Sequence, residues 1–191
     1  MKKLRVIALE IKNHIPFTLI ATLIAVAFVF LTQKINFSSL FFVIHPLHIF
    51  ASAIVSSAIF YKYKKNFMQA LIVGILSSII IGTISDIIFP YLGGIIFQLK
   101  TTFHLSLIEE PINIIGISIL GGIIGIKTQY TKLPHLIHVF LSVFASLLYL
   151  IAFSTITTTF HFIIAFLIVF IAVLIPCCIS DIILPLLFLK K

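Results

Sequence analysis

The sequence predicts an all-α polytopic membrane protein of six transmembrane helices, arranged as two inverted-topology repeats of three helices each. Three observations lead to this fold: an apolar composition, the sidedness of the basic residues and a duplicated motif. Of the 191 residues, 61% are hydrophobic and only 9% are charged, far outside the range of soluble globular domains. We therefore expect a single transmembrane domain over residues 1–191.

Six apolar runs approach or exceed the ~20 residues that a helix needs to cross ~30 Å of hydrocarbon. We predict spans at about 15–33, 38–61, 67–89, 108–126, 133–153 and 160–188. The basic start, the apolar stretch and the "AVA" at Ala25–Ala27 resemble a cleavable signal peptide. Because the apolar run continues to Leu31 and has an internal counterpart, we interpret it as a retained first helix.

The basic residues favour one face of the membrane. If the chain crosses the membrane six times, two basic residues, Lys34 and Lys100, fall on one face. The opposite face receives Lys2, Lys3, Arg5, Lys12, Lys62, Lys64, Lys65, Lys127, Lys132, Lys190 and Lys191. This positive-inside pattern predicts a cell-membrane protein with both termini in the cytoplasm. The formal net charge of +8 thus reflects topology and does not indicate a nucleic-acid partner.

A duplicated motif indicates internal symmetry. The only two aspartates of the chain lie in "ISDIIFP" (Ile84–Pro90) and "ISDIILP" (Ile179–Pro185). An H-x-x-H pair precedes each of these phrases. The aligned pairs are His45 with His135 and His48 with His138, at an offset of 90, while the aspartates align at an offset of 95. Matches among such rare residues are more informative than matches among the many Ile, Leu and Phe residues.

The order of the motifs predicts repeats at about 13–90 and 108–188. Because each repeat contains an odd number of helices, the second repeat crosses the membrane in the opposite direction to the first. Inverted repeats of this kind recur in secondary transporters, with binding sites between the two halves.

Helix direction then sorts the rare polar residues into two clusters, one near each face. The predicted outer cluster comprises His45, His48, Asp86, Glu109 and Glu110. The predicted inner cluster comprises His14, His135, His138 and Asp181. We expect the carboxylate of Asp86 to lie near His48, and that of Asp181 near His138, with the side-chain tips roughly 3–5 Å apart across a metal ion.

The residue types in these clusters are those of a metal site. Histidines three residues apart share a helix face, and imidazole plus carboxylate is a normal ligand set for zinc, iron, manganese, cobalt or nickel. Pro90 and Pro185 each follow an aspartate by four residues. Since proline has no N–H to donate, we predict that each helix ends there and that the aspartate carbonyl is freed as a further cation ligand.

Two adjacent cysteines precede the second aspartate and are open to two interpretations. Cys177 and Cys178 are too close for an ordinary structural disulfide, and they lie on roughly the face of Asp181. They are either softer ligands of the inner cluster or small residues at a packed helix interface.

The function that these patterns favour is secondary transport of a divalent transition-metal cation, coupled to protons through histidine and aspartate. Its partners would be the lipid bilayer and a small inorganic cation, and we expect a homodimer because six helices make a small transporter. The alternative is a membrane-embedded metal-dependent hydrolase acting on a lipid, which would need only one cluster. A haem- or quinone-binding protein is a weaker alternative. Each motif alone also fits a structural role, such as capping or interfacial anchoring.

Overall fold

The computed structural model describes the backbone of residues 2–31, 36–156 and 158–178. The side chains of residues 2–11, 13–14, 132–135 and 177–178 lie outside this description. Of the predicted inner cluster, His138 is therefore described, whereas the side chains of His14 and His135 and the whole of Asp181 lie outside the described residues.

The described chain is all-helical, which confirms the predicted class. In chain order, the helices are α1 (Lys2–Leu31), α2 (Phe37–Tyr63), α3 (Phe67–Thr83), α4 (Phe89–Ile96), α5 (Ser106–Glu109), α6 (Pro111–Thr128), α7 (Lys132–Phe153) and α8 (Thr159–Cys178). A π-helical turn, Ile84–Ile88, joins α3 to α4, so that the chain forms one continuous helix from Phe67 to Ile96.

Five helices in the described chain are long and apolar enough to cross a membrane, which makes this a multi-pass membrane protein. They are Phe37–Tyr63, Phe67–Ile96, Pro111–Thr128, Leu136–Phe153 and Thr159–Pro176. The first predicted span corresponds to the apolar part of α1, Ile15–Leu31, which is shorter than the other five. Many large apolar side chains, such as Leu23, Ile80 and Ile163, point outward from the bundle, as expected for a lipid-facing surface.

Local sequence explains where several helices begin and end. Asn36 and Asn66 precede α2 and α3, and each side-chain oxygen accepts a hydrogen bond from the backbone N–H three residues later, at 3.2 and 3.0 Å. These are N-cap contacts, which satisfy N–H groups that a helix start leaves free. At the end of α6, Gln129 adopts a left-handed conformation, with φ 53°, and its N–H donates to the carbonyl of Gly125.

The bundle has two ends, which we name by one residue of each. The Lys62 face carries residues 62–66 and 127–131, and the His104 face carries residues 97–110 and 153–156. Helix α2 runs from the His104 face to the Lys62 face and packs against α3, α6 and α7. Helix α7 runs the opposite way and also contacts α1, α8 and the π turn. The α2–α7 pair is therefore the centre of the bundle.

The predicted end of the third span at Pro90 is wrong. The helix continues through the proline to Ile96, because the π turn widens the backbone at the point where the proline ring would clash with the carbonyl four residues back. Asp86 consequently lies ten residues before the end of the helix, about 15 Å along its axis. It sits in the interior of the bundle and not at the end of its helix.

Two glycines bring α6 into close contact with α2. A Cβ atom on Gly121 would meet the carbonyl oxygen of Phe50, and one on Gly125 would meet the carbonyl oxygen of Ile54 and the hydroxyl of Ser57. This spacing of four residues is the small-residue pattern that lets membrane helices approach each other. The hydroxyl of Ser57 also donates to the carbonyl of Gly122, at 3.0 Å.

We expect Gly125→Ala to destabilise the bundle by about 1–3 kcal/mol, because the new methyl group must push the α2 backbone away. Gly116→Ala is the matched control on the same helix, since a Cβ there meets no atom within 4 Å. Unfolding of both variants by SDS titration measures the difference. Equal stability of the two would show that α2 and α6 do not pack at Gly125.

Candidate metal centre

The centre of the bundle holds an aspartate with two histidines. His45 and His48 lie one helical turn apart on α2, and Asp86 lies in the π turn. All three side chains are buried, with 0–1% of their surface exposed. Oδ2 of Asp86 lies 2.8 Å from Nδ1 of His45 and 2.6 Å from Nδ1 of His48. Both imidazoles therefore donate from Nδ1 to the same carboxylate oxygen.

The second carboxylate oxygen is held by two hydroxyl groups. Ser85 and Ser142 donate to Oδ1 of Asp86, at 2.7 and 3.0 Å. Ser85 precedes the aspartate in the π turn, whereas Ser142 comes from α7 on the other side of the site. With two donors on each oxygen, the carboxylate accepts four hydrogen bonds, which matches its full acceptor capacity.

Pro90 explains why α7 also contacts the backbone of the π turn. The N–H of Phe89 donates to Ile84, so it does not reach the carbonyl of Ser85 as it would in an α-helix. The next residue is Pro90, which has no N–H. The hydroxyl of Ser146 approaches the Ser85 carbonyl oxygen at 3.0 Å, and it also lies 2.7 Å from the carbonyl of Ser142 on its own helix. The Ser85 carbonyl is thus left without a helix donor by the proline, and the predicted freeing of the Asp86 carbonyl stays a prediction.

Aromatic rings cover both histidines of α2. The ring of Phe41 stacks on His45, with centroids 5.3 Å apart and an interplanar angle of 13°. The ring of His138, on α7, stacks on His48 with centroids 5.1 Å apart and an angle of 24°. Nε2 of His48 is buried and has no hydrogen-bond partner among the described residues. This nitrogen is available as a ligand or a proton acceptor.

The structure brings together the three central residues of the predicted outer cluster. The predicted proximity of Asp86 and His48 is confirmed, although the contact is a direct hydrogen bond, shorter than the separation expected across a metal ion. The two glutamates have other partners: Glu109 pairs with His104 at 3.1 Å, and Glu110 accepts a hydrogen bond from Asn113 at 2.9 Å. They lie at the His104 face and do not close the site.

His138 does not lie in a cluster apart from the α2 histidines. Its ring contacts His48, so the two H-x-x-H motifs meet inside the bundle. The predicted starts of these two spans, 38 and 133, are within one residue of the observed starts of α2 and α7. The error lies in assigning the motifs to the helix starts, because His48 lies eleven residues inside α2 and His138 six residues inside α7.

Sequence reasoning missed the serines of the site, although the pattern contains them. Ser85 adjoins the aspartate in "ISDII", and Ser142 and Ser146 follow His138 at successive intervals of four residues. Residues four apart share a helix face, so this H-x-x-x-S-x-x-x-S stripe marks the side of α7 that faces the aspartate.

The site contains a group of side chains that could hold a metal ion. Among the described residues, His45, His48 and Asp86 form the group whose candidate ligand atoms all lie within 4.8 Å of one another. Tetrahedral coordination with bonds of about 2.0–2.1 Å places ligand atoms ~3.3 Å apart. Relative to Oδ2 of Asp86, each histidine Nδ1 would have to move away by ~0.5–0.7 Å. Comparison of the chain with protein-family models, curated proteins and solved structures returns no significant match.

We expect Ser146→Ala to destabilise the protein by about 1–3 kcal/mol, because it leaves the Ser85 carbonyl without a donor. In a Pro90→Ala background, residue 90 regains an N–H, and the cost of Ser146→Ala should fall. A double-mutant cycle measured by SDS unfolding gives this coupling directly.

Ser118→Ala is the control for loss of a buried hydroxyl, since Ser118 donates only to Ile115 on its own helix. A Ser146→Ala cost that is the same in the natural sequence and in the Pro90→Ala background would contradict the assignment of the free carbonyl to Ser85.

Proposed function

We propose that this protein is a secondary transporter of a divalent transition-metal cation, with the ion seated between His45, His48 and Asp86. One observation carries the proposal: two buried imidazoles contact the same oxygen of a buried carboxylate, within helices that are long enough to cross a membrane. Ionisable residues are costly in such a place and mark ion or proton pathways in membrane proteins. The donor set of nitrogen and oxygen suits the first-row divalent metals.

Proton exchange follows from the same contacts. In the hydrogen-bonded arrangement, a proton lies on each Nδ1, between the imidazole and Oδ2 of Asp86. A ring nitrogen that binds a metal ion must give up its proton, so entry of the ion displaces protons from these positions. Proton return would release the ion. This reciprocity is the basis for coupling ion movement to a proton gradient.

An inverted repeat accounts for the packing of the bundle and is part of the proposal. Exchanging the two halves pairs α1 with α6, α2 with α7, and the helix of α3 and α4 with α8. The contacts α2–α6 and α1–α7 then correspond, as do α2–α3 with α7–α8, and α3–α6 with α1–α8. His48 and His138 are counterparts in the aligned repeats, and their rings stack. Equivalent residues touch each other only near a two-fold axis, which favours an axis between α2 and α7.

Aromatic side chains cover the site toward the His104 face. Phe41, which stacks on His45, also packs edge-on against Tyr149 and Phe153. The ring of His104 stacks on Phe153 at 4.1 Å, and the Tyr149 hydroxyl accepts from the His104 N–H. This aromatic cover would have to open for an ion to pass between the site and the His104 face.

We expect the purified protein to bind zinc or another first-row divalent ion more tightly at neutral than at mildly acidic pH. Asp86→Asn and His48→Gln should each weaken this binding at least tenfold, by analogy with the 10–100-fold effects of losing even indirect partners of a metal ligand. Isothermal titration calorimetry and elemental analysis measure both effects. Absence of binding by any first-row metal at both pH values would contradict the proposal.

His161→Gln serves as the control for histidine loss, because His161 lies at the start of α8, away from the site.

Proteoliposomes that contain a metal-sensitive dye distinguish transport from hydrolysis, since a lipid hydrolase binds metal but moves none across the membrane.

We expect Phe41→Ala to open a route from the His104 face to the site. The reporter is a cysteine at Ile87, a buried neighbour of Phe41, placed in a Cys177→Ala/Cys178→Ala background. This cysteine should react with a water-soluble thiol reagent at least tenfold faster in Phe41→Ala than in the otherwise identical protein that retains Phe41. A tenfold change corresponds to a loss of ~1.4 kcal/mol in the free energy that keeps the aromatic cover closed. Phe140→Ala, on the exposed side of α7, is the control. Equal rates in both variants would show that Phe41 does not close the route.

A further inference from the structure

The Lys62 face carries a concentrated patch of exposed lysines. Four lysines with described side chains lie there: Lys62, Lys64, Lys65 and Lys127. Lys62 and Lys127 lie in the last turns of α2 and α6, and Lys64 and Lys65 belong to the connection between α2 and α3. All four side chains are exposed.

Hydrogen bonds join the α2–α3 region of the patch to the connection between α6 and α7, so that the two form one surface. Nζ of Lys62 lies 3.5 Å from the hydroxyl of Thr131, and Nζ of Lys65 lies 3.2 Å from Oε1 of Gln129. Lys65 also sits over the ring of Tyr61, 4.8 Å from its centroid. The ammonium groups are thereby held on one side of the bundle by neutral partners.

No described carboxylate balances this charge. Among the residues with described side chains, Asp86 is buried in the centre, Glu109 pairs with His104, and Glu110 bonds to Asn113. All three are remote from the Lys62 face. The patch is therefore a local excess of positive charge, in contrast to the His104 face, where Lys100 is the one lysine with a described side chain.

The residues around the lysines place them at the depth of lipid headgroups. Tyr63 and Tyr130 are 60% and 73% exposed, and Phe67 and Met68 are exposed at the start of the next membrane-spanning helix. Tyrosines take up this position at membrane–water boundaries. Beside such a belt, the ammonium groups face the layer that contains lipid phosphates.

We infer that this lysine patch binds the headgroup of an anionic phospholipid. The charge is complementary, and the headgroup layer presents phosphate at high local concentration beside the patch. A soluble polyanion would contact the lysines alone, whereas a phospholipid would also contact the exposed tyrosines and the apolar start of α3. The inference is independent of the proposed transport function, because it uses none of the residues of the buried site.

The test compares phosphatidylglycerol with phosphatidylcholine of identical acyl chains, using native mass spectrometry of the purified full chain. We expect preferential retention of phosphatidylglycerol, decreasing as salt is raised, because the interaction is screened. Each lysine should contribute roughly fivefold to the preference. The variant K62Q/K64Q/K65Q/K127Q should lose it at least tenfold.

Two further variants separate charge from folding. The corresponding quadruple arginine variant keeps the charge and should keep the preference, while Lys100→Gln on the opposite face should leave it unchanged. Thermal unfolding in phosphatidylcholine establishes that each variant is folded. A phosphatidylglycerol preference that survives in the folded glutamine variant, or an equal loss in Lys100→Gln, would overturn the inference.

Discussion

The packing at the centre of this bundle depends on the buried carboxylate of Asp86, which needs hydrogen-bond donors from the surrounding helices. A charge in the hydrocarbon layer has no water to solvate it, so its stability depends on the donors that the protein provides. Here the donors come from three separate segments: two imidazoles on α2, one hydroxyl in the π turn and one hydroxyl on α7. Satisfying a single side chain thus fixes the relative register of three membrane-crossing segments.

Pro90 acts through the same region of the helix, but on the backbone. A proline in a membrane helix removes one donor and adds a steric conflict, and the π turn relieves the conflict by widening the helix over Ile84–Ile88. The remaining deficit is the carbonyl of Ser85, which Ser146 approaches from α7. The two serines of α7 therefore serve one carboxylate and one carbonyl, one helical turn apart. The π turn between α3 and α4 thus exposes a carbonyl that α7 contacts through Ser146.

The features that could be predicted from the sequence are those that depend on local periodicity and on rarity. The i, i+3 spacing of His45 and His48 places them on one face, and the scarcity of aspartate singles out Asp86 as their partner. The depth of the site could not be predicted, because a proline four residues after an aspartate is compatible with a helix end or with a π turn. Only the packing against α7 decides between the two. The roles of Ser142 and Ser146 depend likewise on which helix faces the aspartate.

Because His48 stacks on His138, the two H-x-x-H motifs lie together at one site and not in two separate clusters. Two clusters near opposite faces of the membrane would require an ion to travel between stations through the thickness of the bundle. In the proposed inverted repeat, the counterpart histidines touch at the centre, so the two halves surround one location. The proposed transporter would then exchange access by opening one half while the other closes, with the ion remaining near Asp86. The aromatic rings of Phe41, Tyr149 and Phe153 pack together between His45 and the His104 face, so the proposed exchange on that side would require these rings to separate.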